Sequence, residues 1–394
     1  MSKQNQGAAD IYAARRKKRI HRLLKRSIIF VVLALVLLLL YQKRDLWLPQ
    51  LDKIGTKHQT VIQGDSAADG QFPLYVYGAK GGYQAECLDQ DLAVLSDTYL
   101  HIYNTAGKME DARQHTYGSA MLRTAGSYAL VYEAGGTRFR LETAVSTRYE
   151  HAVSDSIIFG RVSEQGQVML VTASQTSACK LIVFNEKGQQ VYERSCVQDL
   201  VCAAFNADCS GCYAVSLKVS GGVMQSVVHA YSFSQKEDLW SSQPLDMLVI
   251  SVYNTKDGGL FILGDTASCW MRTGGAVQST FVYPDPLEQG DCAGERAVLL
   301  LRNDEKRTHT VVILNGSSGD SVIKVYDTTV KCVRMLQDSR GVLVQQRTRT
   351  DTLNPQGAVT ASAAVSDSYD GCIQIGSYLF LTGYDRIDRA DFRS

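Results

Sequence analysis

The sequence predicts an all-β fold, a β-propeller of eight four-stranded blades with seven as the alternative, preceded by one N-terminal transmembrane helix. Three observations carry this reading. A charge-free apolar run follows a basic tail, glycines recur about every forty residues through the rest of the chain, and a second turn divides many of those units into hairpins.

The helix comes first in the chain. The 394 residues hold 41 Lys+Arg against 40 Asp+Glu, a formal charge of +1. That near-neutral average argues against a wholly basic nucleic-acid binder and against a long acidic disordered chain. It conceals two unlike parts. Residues 1–26 contain nine Lys/Arg (Lys3, Arg15, Arg16, Lys17, Lys18, Arg19, Arg22, Lys25, Arg26) and one acid, Asp10, a net +8, whereas the other 368 residues carry 32 basic and 39 acidic side chains, a net −7. At the junction lies the uncharged run Ser27–Gln42. Its sixteen residues span roughly 24 Å as a helix, somewhat under the ~30 Å of a bilayer core. Leu23 and Leu24 extend it, Lys25, Arg26 and Lys43 can snorkel outward, and Tyr41 and Trp47 suit the far interface.

A cleaved signal peptide requires small residues after the apolar stretch, and Tyr41-Gln-Lys-Arg-Asp45 offers none. A buried core helix would not tolerate the basic flank. Residues 27–44 are therefore read as a signal-anchor helix in the cell membrane. The positive-inside rule keeps the basic tail, 1–26, in the cytoplasm and places the remainder outside. Arg15 to Arg26 sets orientation and touches anionic headgroups. It lacks the interleaved aromatics of a nucleic-acid surface, so no nucleic-acid partner is expected.

Residues 45–70, with Trp47, Pro49, Gly55 and Gly64, have no sustained periodicity and read as a linker. From 71 to 394 short runs rich in Val, Ile, Leu, Tyr and Thr alternate with Gly, Asn, Asp and Ser, as in Val168-Met-Leu-Val171, Leu260-Phe-Ile-Leu263 and Val298-Leu-Leu-Leu301. Glycines before one such strand fall at Gly126, Gly166, Gly211, Gly258, Gly294, Gly341 and Gly376. About twenty residues later a second turn often reads Asn-x-x-Gly: Asn104 to Gly107, Asn185 to Gly188, Asn354 to Gly357, with Asn315 to Gly319 a longer variant. Asn and Gly both tolerate the left-handed backbone that hairpin turns use. Two hairpins per forty residues make four antiparallel strands, one propeller blade. The expected blades are 83–117, 118–153, 154–198, 199–244, 245–284, 285–330, 331–366 and a short eighth at 367–394. Phe72-Pro-Leu-Tyr-Val-Tyr-Gly78 is a stray strand that can complete the eighth and hide its edge. All six prolines fall in the linker, at unit junctions or at turns, where no ladder N–H is lost.

Segments such as Leu100-His-Ile-Tyr-Asn-Thr-Ala-Gly107 and Leu181-Ile-Val-Phe-Asn-Glu-Lys-Gly188 resemble the repeats of quinoprotein-type (PQQ-like) β-propellers. With the basic tail and Leu/Val-rich helix, the whole layout is similar to an uncharacterised, domain-of-unknown-function family of bacterial membrane-anchored propellers. The resemblance implies architecture and no activity. Quinoprotein propellers repeat a tryptophan in most blades, whereas only Trp240 and Trp270 lie in the repeats here, and nothing marks a quinone pocket. No Gly-His to Trp-Asp pair recurs, which disfavours the WD-repeat class.

Ten cysteines (87, 179, 196, 202, 209, 212, 269, 292, 332, 372) show no disulfide framework, and many sit in apolar strands as small hydrophobes. Cys209-Ser-Gly-Cys212, near Cys202 and Cys196, has the spacing of a metal or dithiol motif, but no second pair supplies further ligands. The seven histidines are scattered, and His101 and His229 are expected to be hydrogen-bonded within blades. The alternating charges of Asp385-Arg-Ile-Asp388-Arg-Ala-Asp391, and Asp304-Glu305, read as solvated surface. No Gly-x-Ser-x-Gly elbow, calcium loop or phosphate cradle is present. The sequence thus assigns no catalytic, cofactor-binding or metal residue and no cofactor. Its leading functional reading is a non-enzymatic, membrane-anchored extracytoplasmic module that binds a protein or envelope component through its blade-face loops. The alternative is an extracytoplasmic enzyme with a loop-built site at the propeller channel.

Overall fold

Val298-Leu-Leu-Leu301 has no polar alternation, and none of its four side chains is more than 2% exposed. Successive side chains of a strand point to opposite faces, so such a run must be covered on both. Val298 and Leu300 pack with Val330, Val333 and Val344 of the following unit, while Leu299 and Leu301 pack with Phe261, Leu263 and Trp270 of the preceding one. The same sharing recurs around the molecule. Its hydrophobic interior is eight layers, each built from two neighbouring sheets.

In a computed structural model, the described residues are 72–76, 82–255, 258–316, 318–336 and 338–391. They form eight four-stranded antiparallel sheets. Seven are sequential, spanning 84–114, 120–152, 157–196, 200–241, 249–282, 287–326 and 330–364. These are blades 1 to 7, and they match the units expected from glycine spacing, except that Val330 opens blade 7 instead of ending blade 6. The expected basic tail (1–26), signal-anchor helix (27–44) and linker (45–70) fall outside the described residues.

Blade 8 has three strands of its own, between Tyr369 and Asp391. Its fourth and outermost strand is Leu74–Tyr75, with Leu74 opposite Ile387 and Tyr75 opposite Arg386. The stray N-terminal strand therefore closes the ring, and the count is eight. Phe72 meets Phe380 edge-on at 5.7 Å, and Leu74 joins Ile375 and Ile387 of blade 8 and Leu92 and Val94 of blade 1 in one cluster. Tyr83 of blade 1 donates its hydroxyl to the carbonyls of Gly383 and Arg386 across the seam, both at 2.9 Å.

The Asn-x-x-Gly turns work as anticipated. Asn104 Oδ1 accepts from the N–H groups of Ala106 and Lys108, and Asn185 and Asn354 repeat the pattern. The glycines that follow have φ of 77° to 79°, where a side chain would be strained.

One expectation is corrected. The charges of the segment 385–391 are not all solvated: Asp385 is exposed, but Arg389 is only 4% exposed. Its guanidinium stacks on Tyr378 at 4.3 Å and Phe72 at 5.3 Å and donates to the Thr105 carbonyl of blade 1. Asp388 accepts from the Tyr369 hydroxyl at 2.8 Å. Arginine's flat, weakly hydrated head allows this burial against aromatic faces. Asp304, by contrast, is open to solvent beside Arg302.

A second buried charge group joins blades 1 and 2. Glu142, fully buried, accepts from Arg113 Nη1 at 2.9 Å and Thr147 Oγ1 at 2.7 Å, with Arg140 Nε 3.0 Å from its other oxygen but off the hydrogen-bonding line.

Candidate functional site: the channel and its upper rim

The chain enters each blade on its first strand, and first strands of neighbouring blades pack against one another at seven junctions around the axis. They line a central channel. Antiparallel order places the connections between blades, and the turns between second and third strands, on one face of the disc. We call this the upper face.

Six of the eight first strands carry an irregularity at their second residue, at Ile158, Val201, Ile250, Glu288, Lys331 and Asp370, where one extra residue interrupts the pairing. A bulge of this kind re-aims a side chain at the end of a sheet. The bulged residues divide the rim. Over blades 3 to 5 they are apolar, and Ile158 and Ile250 are 48% and 50% exposed. Leu248 lies beside them, and the long second hairpin of blade 4 (Gly211–Ser220 with Val223–Ser232) adds exposed Val219, Val223 and Met224 near its Gly221-Gly222 tip.

Over blades 6 to 8 the same positions are charged and tied into ion pairs. Glu288 faces Arg302 at 3.2 Å and His309 at 3.4 Å, while Lys331 bridges Asp367 at 2.8 Å and Asp370 at 3.0 Å. Glu288, Arg302, His309, Lys331 and Asp370 border a cavity of about 800 Å³ whose lining also includes Gln289, Cys332 and Arg334.

Deeper in the channel is a belt of ionisable side chains. Gln289 accepts from the Val333 N–H of the next blade, and Gln84 accepts from the Leu122 N–H in the same way. Those two contacts fix the equivalence of levels between blades with and without the bulge. Two residues past Gln84 and Gln289 stand Glu86 and Asp291, and next after Leu122 and Val333 stand Arg123 and Arg334. Counting from the bulge, Arg161, Ala204, Tyr253 and Ile373 complete the level.

Burial raises the Glu86 carboxyl above the ordinary carboxylate range, against the pull of Arg334 and Arg123. Asp291 is also raised by burial, although it accepts from the Met335 and Cys292 N–H groups at 2.8 and 2.9 Å. Arg161 is lowered by burial and by the like charge of Arg123, and Tyr253 is pushed up to about 12, chiefly by burial. Glu86 senses Arg334 two blades away and Asp291 three blades away, so these groups project toward one another across the bore.

Linear inspection missed the belt because its members are one per unit. The signal available was positional: Arg123, Asp291 and Ile373 each stand three residues before a first-hairpin glycine, Gly126, Gly294 and Gly376.

The singled-out residues fall elsewhere. Cys209 and Cys212 are thiols buried in the layer between blades 3 and 4, with Cys179 and Cys196. Cys209 occupies a turn at φ 57°, and burial raises both Cys209 and Cys212. Among the described residues no three His, Cys, Asp or Glu side chains gather to hold a metal ion. His229 is hydrogen-bonded within its blade, to Ser216 at 2.9 Å and Ser241 at 2.8 Å. His101 instead stacks between Tyr99 and Tyr103, at 5.5 and 6.0 Å.

Several solved propellers are similar to this fold. BamB from Moraxella catarrhalis aligns over 80% of this chain and 95% of its own, with TM-score 0.54 and 11% identity. Sqt1 from Chaetomium thermophilum, bound to the N-terminus of the ribosomal protein L10, aligns over 84% and 100%, with TM-score 0.58 and 11% identity. The WD40 domain of SCAP from fission yeast aligns over 82% and 98%, with TM-score 0.55 and 9% identity. At such identities the likeness is one of fold. No curated protein matches the sequence. A family model does, over residues 78–385, which takes in the blade array short of its closing strand and its last strand, and the chain therefore belongs to that family, the family of unknown function DUF5711.

Proposed function

We propose that this chain is a membrane-anchored, extracytoplasmic binding or scaffold module whose upper face docks a protein or envelope component. The observation that carries the proposal is the apolar arc of Ile158, Val219, Val223, Met224, Leu248 and Ile250, held toward solvent by strands and one hairpin. Exposed apolar groups on one sector of a disc, bordered by charged groups on the next, fit an interaction surface. The +8 tail followed by the uncharged Ser27–Gln42 run supports the anchor and its orientation. The Asn-x-x-Gly turns support placing the blades with the quinoprotein type. Sqt1, bound to the N-terminus of L10, is a precedent for the architecture alone.

The test is site-specific photocrosslinking in intact cells. Probes at Ile158, Met224 and Ile250 are expected to yield one common adduct, and a probe at Val145, in a turn on the lower face, none. Equal labelling from both faces, or no adduct from the upper face, refutes the reading. Protease added outside spheroplasts should cleave the blade domain; full protection would overturn the topology.

A second reading, an enzyme using the channel, is favoured by one observation, the convergence of Glu86, Arg123, Arg161, Asp291 and Arg334 on one level.

A further inference from the structure

The channel belt contains three guanidinium groups and two carboxylates, yet among the described residues none of the three arginines has a carboxylate within 4 Å. Arg123 donates only to the Leu122 carbonyl, at 2.7 Å, and Arg161 to the Ala203 and Gly160 carbonyls, at 3.2 and 3.4 Å. Several arginines elsewhere are paired, Arg113 with Asp111 and Glu142, Arg302 with Glu288 and Asp304, Arg347 with Asp367, whereas Arg389 is satisfied by aromatic rings and a carbonyl. Arg334 is exposed within the channel and lines the 800 Å³ cavity, so it is reachable from the upper face. Lys331 at the cavity rim is already held by two aspartates and leaves Arg334 as the unpaired cation there.

Unpaired guanidinium groups in a partly desolvated bore are costly without an anion. Arg123 and Arg161 occupy equivalent positions on adjacent blades, and their like charges oppose each other. An oxyanion offers the fork of acceptors that guanidinium matches.

We propose that the channel is a binding site for a small, multiply charged oxyanion, a phosphate ester or a polycarboxylate. It enters through the cavity over blades 6 to 8 and is held first at Arg334, with Arg123 and Arg161 supplying the positive field beyond. Glu86 and Asp291 limit affinity and select for ligands of at least two charges. The proposal is independent of any protein partner on the rim.

The test is titration calorimetry of the full chain in nonionic detergent with two probes, pyrophosphate and tricarballylate. Saturable binding of either or both is expected, and which one binds identifies the source of the charge. Arg334→Gln should weaken binding about tenfold or more, the scale of a lost charge-assisted pair, and Arg161→Gln should weaken it several-fold. Arg340→Gln, in a solvent-open turn on the lower face, should leave it unchanged. Glu86→Gln should tighten binding several-fold, a change that misfolding cannot produce. The proposal is overturned if neither probe saturates, if Arg340→Gln weakens binding as much as Arg334→Gln, or if Glu86→Gln fails to tighten it.

Discussion

Neutralising Glu142 tests the reading of the joint between blades 1 and 2. Glu142→Gln keeps the side chain's shape and removes its charge. Arg113 retains Asp111, at 2.7 Å, but Arg140, 6% exposed, is left with the Gln114 carbonyl at 2.9 Å and the Tyr117 ring at 5.7 Å, and with no anion. Removing one partner of a buried ion pair costs ~3–5 kcal/mol, because the other charge stays buried and uncompensated. With about two degrees lost per kcal/mol in a domain of this size, the midpoint should fall by roughly 6–10 °C. Thermal unfolding and urea titration on the same samples measure both figures. The companion variant Arg140→Met/Glu142→Leu removes the charges together and should recover much of the loss. A cost below about 1 kcal/mol for Glu142→Gln, or a double variant less stable than the single one, would refute the argument that Arg140 depends on this carboxylate.

Other consequences follow from the same geometry. A Cβ at position 211 would sit 2.1 Å from the Tyr231 carbonyl oxygen, so Gly211→Ala should destabilise by at least the ~1–3 kcal/mol of ordinary overpacking, read as a lowered urea midpoint. His115, 4% exposed, accepts at Nδ1 from the Tyr117 N–H and donates from Nε2 to the Ser96 carbonyl, and burial lowers its pKa. Its neutral form is the folded one, so the stability it contributes is whole above the unfolded value near 6.5 and is lost as pH falls below it; His115→Gln should flatten that slope. Nine of the ten thiols are buried, only Cys87 being partly exposed, so native protein should react with a thiol reagent at about one site and unfolded protein at ten. Rapid native labelling of three or more would contradict this packing.

The eightfold repeat was readable because its turns are chemically constrained. Gly126, Gly166 and Gly376 have the positive φ that other residues resist, and Asn104, Asn185 and Asn354 cap their own hairpins, so most blades leave a mark in linear order, whereas in blade 4 Cys209, not Gly211, takes the positive φ. The closing strand was readable for another reason: Phe72 and Leu74 are apolar residues with no unit of their own. The belt left only the positional mark of Arg123 and Asp291 three residues before a glycine, and that mark does not show that a ring brings Glu86, Arg123 and Arg334 to one level. Arg389 misled because alternating charge says nothing about aromatic neighbours such as Tyr378 and Phe72, which belong to another strand and another end of the chain.

The closing strand has a mechanical consequence. Blade 8 is sealed by two residue pairs, Leu74 with Ile387 and Tyr75 with Arg386, whereas the other pairings in the ring have three to ten. Every newton of tension arriving from the chain before Phe72 passes through that short seam first. A pull applied there would strip Leu74–Tyr75 from blade 8 and expose the edge of its third strand while blades 1 to 7 still held. A load arriving there is therefore expected to open the ring at this seam before any other pairing among the described strands.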